Sequence, residues 1–302
     1  MNAITLTGRD EWLAARRAMI GASESPALYG EGYRGFNAWT IWADKVGAIP
    51  RDENDAKEEN EALEWGRESQ PVILKIFGRR TGLAIEDYGD FTIQRHPVHP
   101  FIGATLDAGT ENDAGKAAVE CKNVGHYASK DWKASAPPLR VQIQCAHQLL
   151  VTGWNSAYAV ACVGGNRLAF RRLDRDEKFI DNLLDRLHWF WGLVESKTPP
   201  PVDESEATAE VLKRLYPHDK GGVIALPEGF GKWVDQLEQA RAASKAAGSA
   251  ETEAKNQLAA ALGDNSMGSL PDGRLVAYRT QNRSGYTVAP AEFRVMRVTQ
   301  PK

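Results

Sequence analysis

Asp107, Glu120 and Lys122 are the residues in this chain whose types and spacing suggest chemistry. They lie in the stretch from Gly103 to Lys122, GATLDAGTENDAGKAAVECK. The runs Ile102–Ala108 and Ala117–Asn123 are short, partly apolar and separated by a Gly/Asn/Asp-rich break, so the pattern predicts two paired strands. Alternate side chains of a strand share a face, which puts Glu120 and Lys122 together and turns Val119 and Cys121 into packing. If the strands pair, Asp107 joins them, and two carboxylates meet one ammonium. Carboxylate oxygens suit a hard cation such as Mg²⁺, and a nearby lysine can orient a water or neutralise a phosphate. A solvated hairpin face would show the same three residues, so the flanks must decide.

The flanks supply further candidates. Asp10–Met19 reads as a short helix with Asp10 as its cap and Trp12, Leu13 and Ile20 as apolar contacts. Ser23 or Ser25 then caps a helix beginning near Pro26. A helix start with free N–H groups, a serine hydroxyl and Arg16 or Arg17 could hold a phosphate; an ordinary cap beside two surface arginines is the plainer alternative. Further on, Arg140–Val151 is helical and carries Gln142, Gln144, His147 and Gln148, either as helix surface or as amides facing a metal site. His96 and His99 lack an acidic or thiol partner in register and carry no metal reading.

Length, charge and composition bound what these residues can belong to. A chain of 302 residues holds one large domain or two. Net charge of −3 argues against a protein that coats DNA generically, but not against an enzyme that gathers positive charge locally. Such gathering occurs after Gly273, where Arg274, Arg279, Arg283, Arg294, Arg297 and Lys302 face only Glu292. Three cysteines, Cys121, Cys145 and Cys162, are too few for a disulfide framework or a four-thiolate cluster. No run approaches the roughly 20 apolar residues of a membrane helix. The expectation is a soluble, cytoplasmic protein.

The elements that must position the candidates follow from periodicity. Asn37–Val46 places Trp39, Ile41, Trp42 and Val46 at helical spacing, as core. An acidic loop, Arg51–Glu61, leads into a helix over Ala62–Arg80, with Leu63, Trp65, Val72, Ile73, Ile76 and Phe77 on its apolar face and Gly82 ending it. Ser156–Val163 and Arg167–Leu173 form a hairpin across Gly164-Gly165-Asn166. An amphipathic helix, Lys178–Val194, covers the sheet. Pro199-Pro200-Pro201 marks a boundary, beyond which come a helix at Glu210–Tyr216, a long helix or helical hairpin over Lys232–Leu262 bending at Gly248-Ser249, and strands near Leu270–Tyr278 and Phe293–Val298.

Taken in order, Arg16…Ile20-Gly21-Ala22-Ser23-Glu24, Trp65-Gly66-Arg67, Asp107…Glu120-Cys121-Lys122 and Gln144…Thr152 resemble the lambda exonuclease and YqaJ-like viral recombinase family of PD-(D/E)XK nucleases. The resemblance spans about Glu11 to Val202. It implies an α/β (α+β) fold: a restriction-endonuclease-like core with a mixed central sheet flanked by helices, over residues 1–202. Residues 203–302 would then be an accessory helical and small β region.

Carried over position by position, the resemblance implies that Asp107, Glu120 and the backbone carbonyl of Cys121 hold Mg²⁺, with Mn²⁺ also compatible. Lys122 would orient the attacking water, Gln144 would support the site, and Arg16 and Ser23 would grip a 5′-phosphate. One departure concerns a helical Glu expected four residues after the Gly of the W-G motif. Gln70 stands there, and Glu68 lies two residues earlier, about 200° away around a helix. A second metal ligand is thus either Gln70 or Glu68. A doubled Gln-x-Gln is also missing, since Ala146 follows Gln144 at that spacing. The implied function is a Mg²⁺-dependent 5′→3′ exonuclease that resects linear duplex DNA to a 3′ overhang for a single-strand annealing partner. It would act as a ring-shaped homo-oligomer, a trimer by family precedent. The alternatives are a structure- or site-selective endonuclease of the same fold, or a DNA-end-binding assembly protein without hydrolysis.

Overall fold

The computed structural model describes residues 2–33, 35–49, 61–132, 135–285, 287, 290 and 293–298. Residues 51–60 of the expected acidic loop, and Glu292 and Lys302 of the charge cluster, lie outside these. The chain divides into two compact units, Met1–Tyr216 and Pro217–Lys302.

The first unit begins with β1 (Asn2–Thr5), α1 (Arg9–Arg17), β2 (Ile20–Gly21), a 3-10 turn at Ser25–Tyr29 and α2 (Ala38–Lys45). Next come α3 (Glu61–Thr81), β3 (Thr92–Arg95), β4 (Ile102–Ala104), β5 (Ala108–Asn112) and β6 (Gly115–Val124). A 3-10 turn at His126–Trp132 leads to α4 (Leu139–Thr152), β7 (Ser156–Val163), β8 (Arg167–Asp174), α5 (Glu177–Glu195) and α6 (Glu206–Leu215). The strands form two mixed sheets of four, ordered β1-β3-β4-β2 and β5-β6-β7-β8. In the second, β6 runs parallel to β7 with Glu120 opposite Ala159, and β5 and β8 are antiparallel to their neighbours.

Period-two alternation explains the layers around that second sheet. On one face Val119, Cys121, Tyr158 and Val160, with Leu168 and Phe170, pack on Ile73, Leu74 and Phe77 of α3. On the other, Ala118, Ala157, Ala159 and Ala161 lie under α4, whose Val141, Cys145 and Leu149 join the same core. Three alanines along β7 and one beside them on β6 give the helix a surface of small side chains. Both ends of α4 are set by backbone chemistry: Pro138 occupies the N-cap, and Gly153 takes φ 71 and donates its N–H to the Leu149 carbonyl. The β7–β8 turn uses Gly164 and Gly165 at φ 63 and 81, the left-handed values that a tight hairpin needs.

Several expectations are corrected. The apolar stripe of α3 is Ile73, Leu74 and Phe77, whereas Leu63, Trp65 and Val72 are exposed. The burial repeats at i, i+1 and i+4, and only the second half of the helix lies over the strands. Helix α5 does not cover the sheet: it packs on α4 and α2, because α4 already fills the alanine face. Asp10 does not cap α1. Its N-cap is Gly8, and Glu11 instead reaches back to accept the Thr7 N–H. Helix α6 starts at Ser205, whose Oγ accepts from the Thr208 N–H, and the Asn37 amide donates to Ser205 and Thr208. The first compact unit therefore continues past the triple proline to Tyr216.

In the second unit α7 (Gly231–Leu262) runs unbroken through Gly248-Ser249, which settles helix against helical hairpin. It is followed by a two-stranded ladder of β9 (Met267–Ser269) and β10 (Leu275–Ala277). Residues 293–298 form no strand; Phe293, Val295 and Met296 are all exposed, so there is no buried face to fix a register.

Candidate active site

Strand β6 presents Glu120 and Lys122 to the α4 side of the sheet, while Cys121 turns its thiol into the α3 side. Glu120 is 1% exposed, a position where an unpaired carboxylate would cost several kcal/mol. It is fully paired. Gln144 Nε2 donates to Oε1 at 2.7 Å, Gln148 Nε2 donates to Oε2 at 2.5 Å, and the Lys122 ammonium also reaches Oε1. Burial alone would lower the Lys122 pKa, but the charges of Glu120 and Asp107 outweigh it and keep the ammonium protonated.

Asp107 arrives by a route the sequence pattern missed. The strand before it is not Ile102–Ala108: β4 stops at Ala104 in the other sheet, and the partner of β6 is β5, beginning at Ala108. The segment read as a Gly/Asn/Asp-rich break is mostly strand. Asp107 thus stands where the chain crosses between sheets, just beyond the β5–β6 pairing. There its Oδ2 accepts the Cys121 N–H at 2.7 Å. The N–H and C=O of a strand residue point to the same edge, so the Cys121 carbonyl also faces Asp107. Lost solvation first, and the Glu120 charge second, push the Asp107 carboxyl up to about 7.

Of the two alternatives on α3, the structure brings Gln70 to this place. Its amide donates to the Asp107 carbonyl oxygen at 3.4 Å, whereas Glu68 is exposed. Gln148, which the sequence leaves open between helix surface and an amide facing a metal site, also reaches Glu120. It lies four residues after Gln144, hence on the same face of α4, and that spacing was the available signal. His147, left open in the same way, faces the core instead. It is fully buried, accepts the Ser25 hydroxyl on Nδ1 at 2.5 Å and donates from Nε2 to the Gly103 carbonyl at 3.0 Å. Ser25 is therefore no helix cap, and neither is Ser23. Burial drives the imidazole down to about 4, so it is neutral at physiological pH and pins α4 to β4.

Arg16 and Ser23 do meet: the guanidinium donates to Ser23 Oγ at 3.0 Å and lies 4.6 Å from the centre of the Trp12 ring. Trp12 Nε1 donates to Thr105 Oγ1 at 3.1 Å, two residues before Asp107. A parallel pairing of Gly21 with Gly103 fixes the same segment from below. The Arg16 pocket and the carboxylate pair thus share one stretch of chain.

The donor set suits a hard divalent cation. Asp107 is raised by burial first and by the nearby Glu120 charge second, and the amide oxygens of Gln144 and Gln148 are buried without a hydrogen-bond partner. Among the described residues no group of three or more His, Cys, Asp or Glu side chains is arranged to hold a metal. Any cation here would therefore complete its shell from neutral oxygens, with the Cys121 carbonyl the nearest in register.

The mixed α/β fold of the first unit recurs in solved structures. A crystal structure of an alkaline exonuclease, LHK-Exo from Laribacter hongkongensis, shares the fold with a TM-score of 0.51 at 19% identity. That match covers 63% of this chain and 94% of the exonuclease. The same exonuclease in complex with dAMP gives a TM-score of 0.51 at 19% identity over 68% and 97% of the two chains. Residues 11–155 match the family model of the YqaJ-like viral recombinase domain. The uncharacterized protein YqaJ of Bacillus subtilis (strain 168) is 32% identical over 215 residues, which is 69% of this chain. The match spans 63% of that relative's length. No helix among the described residues is long and apolar enough to cross a membrane.

Proposed function

We propose that the chain is a Mg²⁺-dependent DNA exonuclease that degrades one strand of linear duplex from its 5′ end. The 3′ overhang it leaves would suit a single-strand annealing partner, and the working form would be a homo-oligomeric ring. The observation that carries this reading is the convergence of Asp107, Glu120 and Lys122 at the sheet edge, with two glutamines of α4 bonded to the same glutamate. Asp107, Glu120 and the Cys121 carbonyl are the oxygens that would hold the cation. When bound, it would lower the pKa of a coordinated water and offset charge on the phosphate.

The protein's own groups have separable tasks. Gln144 and Gln148 fix both oxygens of Glu120 through neutral donors. Lys122, held protonated, orients the water and offsets the negative charge that grows on the phosphate oxygens. Gln70 steadies the backbone of Asp107 and is the residue available as a further neutral ligand. Arg16 and Ser23 would take a terminal phosphate, which favours an enzyme that starts from ends.

The test is nucleotide release from linear duplex labelled at one 5′ or one 3′ end, with Mg²⁺ or Mn²⁺ and with EDTA. Label from the 5′ end should appear first, and Lys122→Ala should slow release on the order of 10³-fold. Cutting of closed circular DNA would favour an endonuclease. No release from any DNA would leave an end-binding protein, and equal rates for Lys122→Ala would show the centre to be elsewhere.

A further inference from the structure

Beneath Arg16 lies a pair of buried charges with no part in the carboxylate centre. Lys45, at the end of α2, has a side chain with 0% exposure, and its ammonium donates to both oxygens of Glu24, at 2.7 and 2.9 Å. It also donates to the Arg16 carbonyl at 2.8 Å. Glu24 Oε2 further accepts the Gly21 N–H at 2.7 Å, so three contacts from two groups saturate the carboxylate. The Arg16 guanidinium stands 3.7 Å from Glu24 Oε1, beyond hydrogen-bond reach, and spends its bond on Ser23. Gly21 leaves room for it: a side chain there would meet the guanidinium at 3.3 Å. Burial alone would raise the Glu24 carboxyl, but Lys45 and Arg16 outweigh it and hold the group below its ordinary range.

A buried ion pair adds little stability over apolar side chains of like volume. Stability alone therefore gives no reason for a lysine at 0% exposure. The pair does something a leucine would not: it cancels Glu24 from below, leaving the surplus positive charge on Arg16, the more exposed end. We propose that Lys45 and Glu24 are positioning residues for a terminal phosphate monoester, with Lys45 occupying the Glu24 carboxylate so that Arg16 stays available to the phosphate. This rests on the end-binding role given to Arg16 and Ser23 above.

The experiment compares kcat/KM on duplexes of one sequence bearing a 5′-phosphate or a 5′-hydroxyl. The wild type should prefer the phosphate. Lys45→Met frees Glu24 to capture Arg16, and the preference should fall about tenfold or more while the rate on 5′-hydroxyl ends is kept. Lys45→Gln, which still donates to Glu24 but carries no charge, should behave alike if the methionine variant does not fold. Lys45→Met with Glu24→Gln buries no unpaired charge and should recover the preference. An unchanged ratio in both single variants overturns the proposal. So does a double variant that melts like wild type but has no preference. A wild type indifferent to the 5′-phosphate removes the terminal-phosphate reading itself, and this inference with it.

Discussion

Glu120 and Glu24 are both buried carboxylates beside a lysine, yet they are held in opposite ways. Glu24 is bound across both oxygens by a fully enclosed ammonium and is electrostatically spent. Glu120 is held by the neutral amides of Gln144 and Gln148 on both oxygens, and its one ammonium, Lys122, reaches a single oxygen and is partly exposed. A second carboxyl, Asp107, stands nearby and is pushed up to about 7. The lesson is that the partner's charge decides the role. Neutral donors immobilise a carboxylate without cancelling it, and a cluster built that way still attracts a cation. A cationic donor makes an inert support.

That contrast can be broken in order of effect. Asp107→Asn and Glu120→Gln should each lower nucleotide release on the order of 10³-fold, while Glu24→Gln should act on end preference and stability rather than on the hydrolytic step. Retained hydrolysis in Asp107→Asn would erase the distinction.

Stability against pH gives the next two tests. Asp107 has a folded pKa of about 7 against an ordinary value of 3.8, so the folded chain holds the extra proton between them. Its contribution is present at low pH and is lost as pH rises toward 7. A divalent cation should therefore stabilise the fold more at pH 8 than at pH 5.5, the gain at pH 8 being about 3 kcal/mol at a hundredfold excess over Kd. Asp107→Asn should remove that difference. His147 has the opposite sign. Its folded pKa of about 4 lies below the ordinary 6.5, so the unfolded chain takes the proton first. Stability is lost as pH falls from 6.5 to 4, by about 3 kcal/mol at most. Melting curves of wild type and His147→Gln across that range should converge at low pH. Parallel curves would mean that the imidazole titrates normally.

The sequence made one side of the site readable and hid the other. The β6 triplet was legible because strand alternation is local: Val119 and Cys121 share one face, Glu120 and Lys122 the other. Gln144 was legible only through its place in a family-like order. Gln148 was left open because four polar residues on one helix look alike until a partner shows which are covered. The pattern puts Asp107 on a strand, where the structure has a crossing, because the apolar run Ile102–Leu106 continues across the change of sheet and composition does not mark where pairing switches. The exposed Leu63, Trp65 and Val72 share a cause: an amphipathic pattern tells which side of a helix is apolar, not how much of its length reaches the core.

The most direct measurement is Mn²⁺ binding to the DNA-free protein, followed by calorimetry or by the manganese resonance signal. The account predicts one ion per chain, lost in Asp107→Asn and in Glu120→Gln and retained in Glu24→Gln. Binding that survives Asp107→Asn, or that disappears with Glu24→Gln, would contradict it.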